Sequence, residues 1–156
     1  FRAPVEPGVP MSSWSIRLPG VEHVQFYGMD ESCTLTPKGD VITLEGGKLP
    51  LTPSTYGLDT MVLDRPPLAA AQLVDDWGHP RVWVEFPDFD YLGLWTADKP
   101  FDTGYVCIEP WSSLPDAAFV GRELSQKAGV RRLAPGQSEE LSYLTTINHR
   151  EKEEKG

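Results

Sequence analysis

Two segments carry the residue types best suited to proton chemistry. Tyr91-Leu92-Gly93-Leu94-Trp95-Thr96 and Tyr105-Val106-Cys107-Ile108-Glu109-Pro110-Trp111 are apolar runs, and the second ends in a carboxylate flanked by proline and tryptophan. The residue before a proline is pushed to an extended backbone, so Glu109 is expected at a strand end with little freedom. A carboxylate held in that way, and partly stripped of water by Trp111 or Trp95, becomes a better general base for a hydroxyl proton. The spacing alone leaves open an ordinary exposed strand-end glutamate. Each tryptophan is equally compatible with core packing, and Trp95 is expected mainly there.

Other chemistries lack their signatures. No phosphate-cradling glycine loop, Cys-x-x-Cys pair, His-x-x-x-His spacing or serine nucleophile elbow occurs. Asp75-Asp76 and Asp88-Phe89-Asp90 are carboxylate-rich but do not have the ligand spacing of a calcium loop, and read as solvated turns. Among the histidines, His79 sits between two expected strands as a turn residue, His23 falls on a surface strand and His149 in a charged tail. None is assigned as a catalytic acid.

The elements that must hold Glu109 are strands. Residues 24–27, 33–36, 41–44, 71–74, 81–86, 91–96, 105–108 and 141–148 show period-two or continuously apolar patterns rich in β-branched and aromatic types. Turn signals divide them. Residues 33–36 and 41–44 are expected to form a hairpin around Pro37-Lys38-Gly39-Asp40, and residues 71–74 and 81–86 a second one. Residues 91–96 and 105–108, apolar on both faces, belong near the centre of a sheet. Helix is limited to one short candidate at 116–127. The fold class is therefore all-β, an antiparallel β-sandwich, with residues 1–148 as the domain and 149–156 as a charged tail.

Composition narrows the partners. A length of 156 residues suffices for one core. The net charge of −9, with no basic cluster, disfavours nucleic acid and anionic membrane surfaces. No apolar segment is long enough to span a bilayer and no secretory leader is recognisable, so a cytoplasmic location is expected, with Cys33 and Cys107 as free thiols. Oligomeric state is not legible.

The pair Tyr91-Leu92-Gly93-Leu94-Trp95-Thr96 and Val106-Cys107-Ile108-Glu109-Pro110-Trp111 resembles a motif pair of LacX-like members of the aldose 1-epimerase, or galactose mutarotase-like, family. Leu58-Asp59-Thr60-Met61-Val62-Leu63 is similar to the family's Asp-Ala-Leu segment, with Thr60 where alanine is usual, and Leu133-Ala134-Pro135-Gly136 resembles a segment before its closing strand. The resemblance extends over essentially the whole chain. It implies part of a galactose mutarotase-like supersandwich, and interconversion of the α and β anomers of a free hexose without metal or other cofactor. It also implies Glu109 as catalytic base, Asp59 as a ligand of sugar hydroxyls, and Trp111 with Trp95 as stacking partners. The family's acid histidine lies in a Gly-His-Pro-Ala-Phe-type segment, and Phe1-Arg2-Ala3-Pro4 looks like the residues following it. The chain is thus expected to be the C-terminal portion of the family fold, without that histidine.

Three functions compete at this stage. One is a hexose mutarotase, with a hexose-phosphate variant kept open by Arg65 and Arg81. Another is a non-catalytic carbohydrate-binding β-sandwich using Asp59, Glu109 and Trp111. The last is a structural β-domain with no sugar affinity.

Overall fold

A computed structural model of the chain describes residues 1–56, 60–97, 104–121 and 123–148. Among these residues, three antiparallel sheets account for nearly all the regular structure. The largest contains β1 (Arg2–Pro4), β4 (Tyr27–Met29), β5 (Leu35–Lys38), β8 (Met61–Asp64), β11 (Tyr91–Trp95) and β12 (Tyr105–Trp111), in the order β1-β12-β11-β8-β4-β5. The second contains β2 (Ser15–Arg17), β7 (Lys48–Pro50), β9 (Ala70–Val74), β10 (Pro80–Glu85) and β13 (Leu144–Ile147), ordered β13-β10-β9-β2-β7. A two-stranded piece pairs β3 (His23–Val24) with β6 (Ile42–Thr43).

The two larger sheets meet through alternate residues. Ala3, Leu63, Leu92, Leu94, Val106 and Ile108 of the first pack in one buried cluster with Ile16, Leu49, Ala71, Leu73, Val82 and Val84 of the second. Successive strand side chains point to opposite faces, so burial of these positions fixes the direction of every neighbour. This is the all-β antiparallel sandwich expected from the patterning.

The hairpin at 71–74 and 81–86 is present as β9 and β10, with His79 in its turn. Residues 91–96 and 105–108 lie inside the first sheet, as β11 and β12 are each paired on both edges. The closing strand is β13, on β10. The hairpin expected between 33–36 and 41–44 does not form. Residues Leu35–Lys38 instead turn back on Tyr27–Met29, and Ile42–Thr43 pairs with His23–Val24. The cause is local: the Asp30 carboxylate accepts hydrogen bonds from the Ser32 and Thr34 amides and the Ser32 hydroxyl, closing a tight loop in which Cys33 adopts φ 60°. The helix expected at 116–127 is reduced to a single 3-10 turn, Leu124–Gln126, while one short α-helix, Pro53–Tyr56, occurs where none was expected.

The carboxylate-rich turns are not simply solvated. Asp75 is buried, with one carboxylate oxygen accepting the Trp77 and His79 amides. Asp88 accepts both the amide and hydroxyl of Ser142, while Arg131 bonds the Asp88 carbonyl and ion-pairs with Glu139 and Asp90. These contacts tie the irregular 131–142 segment to the β10–β11 turn. The Ser142 hydrogen bonds hold the Asp88 carboxyl below its ordinary value of 3.8. A carboxyl depressed in the folded state contributes stability that is present above the unfolded pKa and lost as pH falls through the folded one. Asp88→Asn should therefore destabilise the chain at pH 7, and in urea titrations its deficit should shrink progressively below about pH 4. An equal deficit at pH 7 and pH 2.5 would contradict this assignment.

Candidate functional site

β12 displays both sides of the sandwich at once. Val106 and Ile108 are sealed in the core, so Tyr105, Cys107, Glu109 and Trp111 share the outer face of the six-stranded sheet. The neighbouring strands complete that face by register: Arg2 and Trp95 flank Cys107, Gly93 stands opposite Glu109, and Tyr91 stands opposite Trp111. Glu109 and Trp111 are half-buried, and Trp95 is too. Trp95 therefore belongs to the outer face rather than the inner core, its ring 6.5 Å from that of Tyr105. The Arg2 guanidinium lies 3.7 Å from the centre of the same tyrosine ring, a cation–π contact.

Among the described residues, the outer face is covered only in part. At the β8–β4–β5 end, Leu35, Val62 and Leu114 form a second buried cluster with Tyr27, Met29, Tyr91, Trp111, Ala117 and Ala128. Backbone bonds from Leu35 to Asp116 and from Ala118 to Leu35 hold the covering segment down, and Phe119 stacks on Tyr27 at 5.7 Å. The other end, with Arg2, Cys107 and Glu109, lies beyond this cover. Trp111 stands at the border. It also walls a groove of about 310 Å3 completed by Ser113, Leu114, Pro115, Leu124 and Lys127. The groove thus presents an indole, a hydroxyl and the Lys127 ammonium, which is ion-paired with Asp116.

Cys107 is buried and its thiol pKa is raised, first by loss of water and next by the negative charge of Glu109. Neither remaining described histidine reaches this face. His23 is exposed on the two-stranded piece near Thr43, and His79 lies in the β9–β10 turn of the other sheet, 3.6 Å from Asp75. Asp59 and His149 lie outside the described residues. No three of His, Cys, Asp and Glu converge as metal ligands among the described residues, and no described helix is long and apolar enough to cross a membrane.

No protein-family model matches the chain. The chromosomal LacX protein of Lactococcus lactis subsp. lactis is 27% identical over 149 residues, which cover 94% of this chain and 49% of LacX. The plasmid-borne LacX of the same organism matches to the same extent. Among solved structures, a galactose mutarotase related enzyme from Lactobacillus acidophilus superposes with a TM-score of 0.73 at 18% identity, over 96% of this chain and 49% of that one. The chain is similar to LacX and has a galactose mutarotase-like fold. A galactose mutarotase-like protein from Lactobacillus casei also superposes, with a TM-score of 0.65 at 19% identity, over 93% of this chain and 49% of that one. The chain spans about half the length of the curated relatives it matches.

Sequence patterning singled out Glu109, Trp111 and Trp95, and all three share one face. It missed Arg2, Tyr105, Cys107 and Tyr91 as neighbours on that face. Once β11 and β12 are known to be strands, Tyr105 and Cys107 follow from counting in twos along β12 and Tyr91 along β11, whereas Arg2 depends on a long-range pairing. The thiol provides a check on this geometry. Iodoacetamide at pH 8 should label exposed Cys33 readily and Cys107 slowly, and Glu109→Gln should bring the Cys107 pKa down only part of the way, since burial remains. Equal labelling of the two cysteines in the folded protein would count against the buried placement of Cys107.

Proposed function

We propose that this chain carries the base-bearing half of an aldose 1-epimerase site, which interconverts the α and β anomers of a free hexose such as galactose or glucose. The observation that supports the reading best is the outer face of β12, where Glu109 and Trp111 stand two residues apart and Trp111 walls an open groove, in a galactose mutarotase-like fold. Glu109 takes the proton from the anomeric hydroxyl while an acid delivers a proton to the ring oxygen. The bond between the anomeric carbon and the ring oxygen breaks, giving the open-chain aldehyde. Rotation about the first carbon–carbon bond presents the other carbonyl face, and ring closure returns both protons. The reaction is redox-neutral and isomeric, so proton transfer alone balances it.

Trp111 offers an apolar wall for the pyranose C–H face, and Trp95 borders the same surface. Asp59 accepts hydrogen bonds from sugar hydroxyls in this reading, through charge-assisted contacts. The proton donor is the role that neither His23 nor His79 fills, because both stand on other sheets. That observation favours one second reading, a carbohydrate-binding module that uses the same face without turnover. Either protein handles a neutral small sugar, and we place it in the cytoplasm.

Magnetisation exchange between the α and β anomeric protons of galactose separates the two. A mutarotase accelerates exchange, and Glu109→Gln should reduce that acceleration by about 10²–10⁴-fold while leaving sugar affinity within an order of magnitude. A binding module shows affinity and no acceleration. An exchange rate indifferent to Glu109→Gln would remove the catalytic assignment. Sugar binding itself should weaken by about tenfold or more in Asp59→Ala, the loss expected for a hydrogen bond to a charged group. Unchanged affinity there would strike Asp59 from the site.

A further inference from the structure

Gly93 occupies a position where nothing in the backbone calls for glycine. It lies in the middle of β11, away from the positive-φ positions, and both its neighbours, Leu92 and Leu94, are buried in the core. Glycine in a strand interior is destabilising relative to alanine, so its presence points to a close approach by some other group.

That group is the Trp111 indole. Trp111 is registered opposite Tyr91, two residues from Gly93, yet its ring leans diagonally across β11. A Cβ placed on Gly93 would lie 2.9 Å from both Cε2 and Cζ2 of Trp111 and 3.4 Å from Nε1. Gly93 is flanked in register by Glu109 on one strand and Val62 on the other. Directly opposed strand side chains stand about 4.5–5.5 Å apart at Cβ, so the slot filled by the indole is the one beside the Glu109 side chain.

We propose that Gly93 is a positioning residue: by lacking a side chain it seats the Trp111 indole next to Glu109, which fixes the wall against which a pyranose packs and keeps the adjoining groove open. This rests on the sugar reading above. The three atoms nearest to a methyl group at 93 all belong to a movable ring, so the indole would be displaced and the strand would stay.

The test uses Gly93→Ala, Trp111→Ala, Trp111→Phe and the corresponding double variants, with 5-fluorotryptophan incorporated throughout. The fluorine resonance lost in Trp111→Phe identifies residue 111. Gly93→Ala should move that resonance far more than those of the other tryptophans, and should weaken galactose binding about tenfold, to the level of Trp111→Ala. In a Trp111→Ala background it should weaken binding no further. If Gly93→Ala alone folds poorly, Gly93→Ala with Trp111→Ala should fold and bind like Trp111→Ala, because no ring is left to meet the methyl. A resonance for residue 111 that stays in place would overturn the seat. A displaced resonance with undiminished galactose affinity would make the seat a packing feature and overturn its positioning role. Failure of the unmodified chain to bind galactose at all would instead bring down the sugar reading, and the platform role with it.

Discussion

The structure depends on a single constraint along β12: its inner residues cannot leave the core. Val106 and Ile108 are fully buried against the opposing sheet, and strand geometry then sends Cys107, Glu109 and Trp111 outward with no freedom to exchange faces. A slip of one residue would bury a carboxylate and expose two large apolar side chains, at a cost of several kcal/mol. The candidate site is thus positioned by the hydrophobic effect acting on the other side of the same strand. Pairing to β1 on one edge and β11 on the other brings Arg2, Trp95 and Gly93 alongside.

Partial cover of the outer face then sets the environment. The segment that includes Leu114, Ala117 and Ala128 seals the β8–β4–β5 end over Leu35 and Val62, and stops at Trp111. Glu109 is left half-buried at the margin, close enough to Cys107 for its charge to disfavour the thiolate. Trp111 walls the groove, and Glu109 stands two residues away on the same face. On the proposed reading, the indole packs a polyol's apolar face while one hydroxyl meets the carboxylate.

Patterning reveals which residues alternate, and it reveals less about which strands pair. The extended backbone of Glu109 was legible from the proline and the apolar run before it, although the strand runs on through Pro110 to Trp111 instead of ending at Glu109; the β9–β10 hairpin was legible because short range and a clear turn leave few alternatives. The pairing of Leu35–Lys38 was not. Its decisive feature is the Asp30 side chain, which closes the loop on Ser32 and Thr34, a signal of three polar residues at alternate positions that competes with the more obvious Pro37-Lys38-Gly39-Asp40 turn. Arg2–Pro4 and Ser15–Arg17 are too short to announce themselves as strands, and they form only because long partners offer edges. The covering segment is mostly irregular, held by isolated backbone bonds and a few apolar anchors, so neither a period of two nor one of 3.6 marks it.

The central claim is that the outer face of β11 and β12 is where a sugar binds. Titration of the isotopically labelled chain with galactose, followed by amide and side-chain chemical shifts, addresses it directly. The account predicts shifts concentrated at Gly93, Trp95, Cys107, Glu109 and Trp111, with the β9–β10 turn around Trp77 and His79 unmoved. Shifts centred on that turn or on the β3–β6 piece, with β12 silent, would contradict it.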